Sequence, residues 1–130
     1  RSFLAKMIHE GKKMYLLDLY LPSKSDPIKI GYPKDKFDWA TMNEEQVWRY
    51  FIENDLLYST DTQLNKRFIE NAPFSKFYLS EDTKSPGRIG QWIGWRIVRS
   101  YMVNNDVSLQ ELLSMNEEEI FKNSKYKPRK

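Results

Sequence analysis

The chain has 130 residues, of which 40% are hydrophobic and 15% are aromatic. This length and composition predict a single domain with a core of its own, and they exclude a disordered chain. The absence of cysteine excludes disulfides, cysteine-bound zinc and thiol catalysis. No apolar run is long enough for a transmembrane helix. The net charge is +3, with its excess in a basic C-terminal tail that we interpret as solvated; binding to phosphate or anionic lipid is the alternative.

A first helix is predicted from Ser2 to Leu21, and it carries the pair His9 and Glu10. At the helical period, Glu10 falls within an otherwise apolar stripe that consists of Phe3, Met7, Met14, Leu17 and Leu21. A buried carboxylate is costly unless a cation, a hydrogen-bond donor or a metal satisfies it. His9 lies on a neighbouring face that predicts contact with water, together with Lys6, Lys12 and Lys13. We therefore expect Glu10 to point inward, either in an ion pair with an arginine or as a metal ligand.

Local patterns predict where the next elements begin and end. Pro22 cannot continue the first helix, and a long connection is expected from Ser23 to Ala40, with a short extended piece at residues 28–32. Thr41 and Glu44 have the spacing of a capping box, which predicts the start of a second helix. A short third helix follows near residues 64–69.

Residues 71–85 are expected to form a loop with aromatic and apolar anchors at Phe74, Phe77, Tyr78 and Leu79. Ser85-Pro86 predicts the start of a central helix over residues 87–103. Two short final helices are predicted by their caps, which are Ser108 with Glu111 and Asn116 with Glu119. The expected fold is therefore all-α, a single domain over residues 1–130 with about five to six helices around the glycine-containing helix 87–103.

The central helix contains Gly90 and Gly94 one turn apart on the same face. An interior glycine costs about 1 kcal/mol relative to alanine, so a compensating contact is expected. We predict close approach of another helix, the first or the second, at this face. The alternative is the floor of a substrate cleft or of a groove for a partner peptide.

The neighbouring face of that helix interleaves arginine with tryptophan, at Arg88, Trp92, Trp95, Arg96 and Arg99. Such a pattern can bind nucleic acid by stacking and phosphate contact. We favour arginines whose stems cover the indole rings and whose charges form local ion pairs, because no nucleic-acid-binding motif accompanies the pattern.

The segment from Trp39 to Lys130 resembles the C-terminal part of the gliding-motility lipoprotein GldB family. The resemblance rests on residues 43–52 (NEEQVWRYFI), 56–61 (LLYSTD), 73–78 (PFSKFY), 85–95 (SPGRIGQWIGW), 120–121 (IF) and 124–130 (SKYKPRK). It implies a lipid-anchored protein of the cell envelope that faces the periplasm, with the anchored residue upstream. Because the chain begins inside a predicted helix, we expect it to be a C-terminal fragment of a larger protein.

The same family is similar to predicted zinc-dependent proteases of the gluzincin type. In those proteins a His-Glu-x-x-His helix supplies two metal ligands and a later Glu-Gly supplies the third, to which Glu10-Gly11 is similar in position. The resemblance implies that a region upstream of this chain would hold the other ligands of any zinc site in the full-length protein. Because a catalytic zinc needs three protein ligands, we expect this chain alone to hold no cofactor. Gln91 stands where the proteases are expected to carry a tyrosine, which favours a domain without catalysis.

We therefore expect a non-catalytic helical domain that acts by protein contact in the gliding or envelope machinery. The alternative is the C-terminal part of a zinc metallopeptidase. No catalytic residue is assigned in this chain, and Glu10 is the predicted metal ligand, provided that upstream ligands exist. Four residues are predicted to contact a substrate or a partner, namely Trp48, Arg88, Arg96 and Tyr101. The expected partners are envelope proteins and, through the upstream anchor, the membrane, but not nucleic acid.

Overall fold

The computed structural model describes every residue from Arg1 to Lys130. It contains eight α-helices, one 3-10 turn over Asp82–Lys84 and no strand. The helices are α1 (Phe3–Tyr20), α2 (Asp26–Ile30), α3 (Lys34–Met42), α4 (Glu44–Glu53), α5 (Gln63–Phe68), α6 (Ile89–Asn104), α7 (Leu109–Ser114) and α8 (Glu117–Lys122). The all-α prediction is confirmed, although the helices are more numerous and several are shorter than expected.

The two longest helices, α1 with 18 residues and α6 with 16, pack against each other at the centre of the fold. Their backbones touch where both carry glycine. A Cβ atom on Gly94 would collide with the carbonyl group of Met7, and one on Gly11 would collide with the carbonyl group of Gly94. A Cβ atom on Gly90 would lie 3.3 Å from the Met7 side chain. The predicted helix–helix approach is confirmed, and the alternative of a cleft floor at these glycines is wrong.

Aromatic contacts connect the shorter helices to this central pair. The ring of Phe3 lies 5.0 Å from that of Phe51 and 5.7 Å from that of Phe68, which joins α1 to α4 and α5. The ring of Trp92 meets Phe37 edge-on at 5.4 Å, which joins α6 to α3. Fully buried side chains from α7 and α8 complete the core, namely Leu112 and Ile120. No helix combines the length and the apolarity that a membrane span requires.

The connection between α1 and α4 is helical, so the predicted extended piece at residues 28–32 is wrong. Pro27 lies in the first turn of α2, where proline is tolerated. Gly31 ends α2 in the left-handed conformation with φ of 77°, which glycine adopts at little cost. The helical turn and its glycine cap bring Ile30 and Tyr32 into the core, with 3% and 7% of their surface exposed. Their alternation therefore reflects burial around a turn and not a strand.

The predicted capping box at Thr41 is also wrong. Thr41 belongs to α3, and its hydroxyl donates to the carbonyl group of Asp38 at 3.0 Å. Glu44 is the first residue of α4, and its side chain is fully buried. Its carboxylate accepts a hydrogen bond from Arg96 and is therefore not available to cap an upstream amide. A tertiary ion pair replaces the local contact that the spacing predicted.

The central helix begins two residues later than Ser85-Pro86 predicts. The hydroxyl of Ser85 accepts from the amide of Ser75 at 3.0 Å, and the hydroxyl of Ser75 accepts from the amide of Ile89 at 3.3 Å. Arg88, with φ of 57°, directs the chain into α6. Ser85 therefore fixes the preceding loop and does not cap α6. The predicted caps at Ser108 and Asn116 are confirmed as N-caps of α7 and α8.

Candidate functional site

Glu10 lies at the protein surface, so the prediction that it points into the core is wrong. About a fifth of its side chain is exposed (22%), and its carboxylate accepts from Lys13 at 3.0 Å. The inward face of α1 is rotated by about one residue from the predicted face, because α1 contacts α6 through Gly11. His9 is more exposed than Glu10, at 41% of its side chain, and its Nδ1 lies 3.9 Å from Glu117.

The buried charge of α1 is instead Lys12, which was predicted to meet water and is 5% exposed. Its ammonium group donates to the carbonyl groups of Met115 at 2.7 Å and Leu113 at 3.3 Å, and to the carboxylate of Glu117 at 2.9 Å. Burial raises the pKa of Glu117, but the hydrogen bond and the positive charge of Lys12 lower it more, so that the net shift is downward. Lys12 therefore satisfies the carbonyl end of α7 and joins α1 to α7 and α8.

Glu10 borders a shallow polar depression between α1 and α5. The other lining residues are Arg1, Lys6, His9, Asn65, Ile69 and Glu70. Within this chain, no group of three or more histidine, aspartate or glutamate side chains is placed to hold a metal ion. The role of Glu10 as a metal ligand depends on residues outside this chain and stays a prediction.

Arg96 of α6 neutralises the fully buried carboxylate of Glu44 in α4. Its Nε donates to Glu44 at 3.1 Å, and the hydroxyl of Tyr126 donates to the other carboxylate oxygen at 2.8 Å. Burial and the neighbouring Glu44 both raise the pKa of Tyr126, so that its hydroxyl stays protonated. The ring of Trp48 meets Tyr126 edge-on at 5.1 Å. Together these contacts attach the C-terminal tail to α4 and α6.

Arg99 of α6 binds two carboxylates at once. It donates to Asp18 at 2.7 and 2.9 Å and to Asp26 twice at 2.8 Å, which links α6 to α1 and α2. Lys29 and the indole N–H of Trp95 also donate to Asp18. Burial raises the pKa of Asp18, but the donors outweigh it and the net shift is downward. Hydrogen bonds from Arg99 lower the pKa of Asp26.

The interpretation of the arginine–tryptophan face is confirmed for Arg96 and Arg99, whereas Arg88 lies over Tyr32 and forms no ion pair. The guanidinium group of Arg99 lies 3.8 Å from the ring centre of Trp95, and that of Arg96 lies 5.7 Å from Trp92. Arg88 donates to the carbonyl group of Ile30 at 2.7 Å. The arginine side chains therefore cover aromatic rings, and their guanidinium groups bind carboxylates or carbonyl groups of the same chain.

The four predicted contact residues do not form one site. Trp48 and Arg96 share the Tyr126 neighbourhood, whereas Arg88 precedes α6. Tyr101 is 3% exposed and its hydroxyl donates to the sulfur of Met115 at 2.9 Å. Trp48 is 9% exposed. Their role in contacting a substrate or partner stays a prediction, and most of their surface is used within the domain.

A groove that the sequence did not reveal lies between α3, α4 and the loop before the 3-10 turn. Its volume is about 200 Å³, and it is lined by Trp39, Asn43, Gln46, Val47, Tyr50, Phe77, Leu79, Glu81 and Asp82. Of the predicted loop anchors, Phe77 is buried, whereas Tyr78 and Leu79 are 73% and 59% exposed. We call this feature the Trp39–Leu79 groove. The sequence signal for it is the apolar run of residues 77–79 with Asp82, which binds its amides, three residues after the run ends.

The loop that forms one wall of this groove is held by Asp82. The carboxylate of Asp82 accepts from the amides of Phe77 at 3.1 Å, Tyr78 at 3.0 Å and Leu79 at 3.3 Å. The hydroxyl of Tyr50 donates to the carbonyl group of Phe77 at 2.7 Å. The wall is therefore fixed to α4 by the Tyr50 hydrogen bond, while Asp82 holds the apolar run from within the loop.

Comparison with known proteins gives one result at the level of the family. The family model described as gliding motility protein GldB matches residues 1–128. No curated protein and no solved structure matches the chain significantly. The match extends the resemblance, which began at Trp39, to nearly the whole chain. The further similarity to gluzincin-type proteases stays a prediction.

Proposed function

This chain belongs to the family of the gliding motility protein GldB, and we propose that it serves as a non-catalytic helical domain that binds protein partners of the gliding machinery. The family match over residues 1–128 is the observation that carries the proposal. Membership makes it a gliding-motility-associated protein, and the lipoprotein character of the family indicates the cell envelope. A position facing the periplasm, with a lipid anchor upstream of this chain, is part of the proposal.

The half-buried ionisable groups whose pKa values are shifted link helices and the C-terminal tail to one another, as the framework of a binding domain requires. A general acid or base works best with a pKa near the working pH. The half-buried carboxylates of Asp18, Asp26 and Glu117 are shifted the other way, with a lowered pKa that keeps them ionised. The pKa of Tyr126 is raised, which keeps its hydroxyl protonated. These groups are held in one charge state, as permanent links between helices require.

The competing interpretation is the C-terminal part of a zinc metallopeptidase with Glu10 as the third ligand. Within this chain, Glu10 contacts Lys13 and borders an open polar depression. A zinc ligand in a protease is held by neighbours that orient it, whereas the Lys13 side chain is 61% exposed. No contact of Glu10 favours the protease interpretation over the binding domain.

Gene replacement in a gliding bacterium that encodes this protein tests whether Glu10 acts as a ligand. We expect Glu10→Gln to leave colony spreading and the cellular protein level at wild-type values. Lys13→Gln is the matched control, because it removes the same ion pair and keeps the carboxylate. Loss of spreading and of bound zinc in Glu10→Gln alone, at a normal protein level, would establish the protease interpretation.

Photo-crosslinking in the same cells tests whether the domain contacts protein. A photoreactive phenylalanine analogue is placed in turn at exposed positions around the domain, for example at Tyr20, Ile28, Tyr58 and Leu79. We expect discrete adducts of defined mass from at least one face. A complete scan without any adduct would contradict the proposal.

A further inference from the structure

We propose that the Trp39–Leu79 groove receives a protein segment that presents one large apolar side chain flanked by lysine or arginine. This inference rests on the proposed function, for which it names the contact surface and the chemistry of the partner. Four features of the groove support it, which are its size, its fixed apolar wall, its charge and its free amide group.

The size of the groove fits a single side chain. Typical small-molecule sites have volumes of about 300–1,000 Å³, whereas this groove has about 200 Å³. Its floor is apolar, with the buried side chains of Val47 and Phe77. Protein interfaces place their strongest contacts in such pockets, which a single aromatic or aliphatic anchor fills.

The apolar wall is held at the surface by contacts that fix the loop. Asp82 binds the amides of residues 77–79, and Tyr78 has φ of 64°, a conformation that non-glycine residues adopt rarely. The guanidinium group of Arg67 lies 4.5 Å from the ring centre of Tyr78. Leu79 remains 59% exposed at the groove. The loop therefore displays apolar side chains in a defined geometry before any partner arrives, which reduces the entropy lost on binding.

The charge of the groove is opposite to that of the chain. The chain carries a net charge of +3, but the groove lining contains two carboxylates, Glu81 and Asp82, and no lysine or arginine. Glu81 pairs with Lys84 at the surface, where both side chains are more than half exposed. An exposed pair of this kind is weak and exchanges readily with another cation. A basic flank on the partner is therefore the complementary chemistry.

The side chain of Gln46 adds a polar contact point at the same edge. It is exposed on α4, lines the groove and makes no hydrogen bond within the chain. Its amide group can donate to and accept from the backbone of a bound segment. The groove thus combines an apolar pocket, an acidic rim and a free amide within one surface.

Selection from a random peptide library displayed on phage, with the folded chain immobilised, tests the chemistry of the occupant. We expect enriched peptides to share one leucine, methionine or aromatic residue next to lysine or arginine. One enriched peptide is then synthesised with a fluorescent label, and its Kd is measured by anisotropy. Failure to enrich any peptide, or enrichment of acidic ones, would overturn the proposal.

Two pairs of variants then test whether the selected peptide binds in the groove. Leu79→Ser and Glu81→Lys change the groove, and each is expected to raise the Kd about tenfold or more. Ile52→Ser and Glu53→Lys are the matched controls, because both residues are exposed on α4 outside the groove lining, and they are expected to leave the Kd within about twofold. Circular dichroism melting identifies a variant that has lost its fold. Equal Kd values for folded groove variants and wild type would overturn the assignment.

Sedimentation velocity distinguishes a peptide-binding groove from a contact between two copies of this chain. A dimer that Leu79→Ser dissociates would assign the groove to a second copy and would overturn the proposal. The proposed function is tested separately, because partner adducts formed elsewhere on the domain would preserve it if the groove fails. Wild-type spreading of cells that carry Leu79→Ser would likewise count against the groove and not against partner binding.

Discussion

Gly11 of α1 and Gly94 of α6 meet backbone to backbone, with the carbonyl group of Gly94 occupying the space that a side chain on Gly11 would need. Gly94 is in turn pressed against the carbonyl group of Met7. The loss of helix propensity at both glycines is offset by burial of the large side chains around this crossing, among them Ile8 and Ile97. The distance between the two central helices is therefore set by residues that have no side chain.

Gly94→Ala is expected to lower the free energy of unfolding by about 1–3 kcal/mol, because a methyl group at this crossing forces the helices apart. Alanine is the better helix former by about 1 kcal/mol, so helix propensity alone would stabilise the variant. Any decrease in the free energy of unfolding therefore comes from the steric conflict. Gly90→Ala should cost less, since its nearest obstacle is the carbonyl oxygen of Phe68 at 2.9 Å. Urea unfolding compares the variants, and a Gly94→Ala protein as stable as wild type would show that the crossing is loose.

Arg99→Ala should destabilise the protein more than removal of an exposed ion pair does. Arg99 is 24% exposed and pairs with Asp18 and Asp26. Without it, Asp26 loses its paired cation and Asp18 keeps only Lys29. The cost should lie between the roughly 1 kcal/mol of an exposed pair and the roughly 3–5 kcal/mol of a buried one. Arg49→Ala is the control, because Arg49 pairs with Glu45 at the surface. Equal unfolding free energies for the two variants would show that the Asp18–Arg99–Asp26 cluster contributes no special stability.

Tyr126→Ala should release the C-terminal tail. The ring of Tyr126 packs on Trp48, and its hydroxyl binds the buried Glu44. Loss of both contacts should expose the backbone, so that trypsin cleaves after Lys125 several-fold faster, whereas Lys127 precedes Pro128 and is not a trypsin site. Mass spectrometry of timed digests measures the rate, and Tyr58→Ala, at an exposed position, is the control. An unchanged cleavage rate would mean that other contacts hold the tail.

Acid should destabilise the domain below about pH 4. The pKa values of Asp18 and Asp26 are lowered from 3.8, and that of Glu117 is lowered from 4.5, in the folded protein. The unfolded chain therefore binds more protons in this range, and stability is lost as pH falls through the folded values. Urea unfolding at a series of pH values, from neutral into the acid range, measures the slope of the unfolding free energy against pH. Asp18→Asn should make it shallower, and a slope of the opposite sign would contradict the pKa directions.

Several features of the fold follow from sequence neighbours, because the interacting groups are close along the chain. The amide of Glu111 binds the hydroxyl of Ser108, three residues earlier, and the reciprocal contact is also made. α1 ends at Tyr20, before Pro22, for the reason that proline cannot continue a helix. The pairing of the α6 arginines with indole rings was likewise predictable from spacing within one helix.

Helical periodicity could not determine the rotation of α1 or identify the buried charge. Glu10 and Lys12 are both polar interruptions of an amphipathic helix. Lys12 is buried because the carbonyl groups of Leu113 and Met115, about a hundred positions away in sequence, are placed to accept its protons. The Trp39–Leu79 groove was missed for the same reason, since its walls come from separate segments of the chain.

The amino-acid sequence by itself determined the all-α class, the caps of the last two helices and the glycine face of α6, because propensity, capping and periodicity act over a few neighbouring residues. The tertiary structure alone decided that Glu10 faces solvent, that Glu44 is buried, and that α3, α4 and the loop at residues 77–82 enclose a groove. Burial and ion pairing depend on which distant groups come into contact. In this fold, the close glycine contact between α1 and α6 positions the two central helices against which the other helices pack.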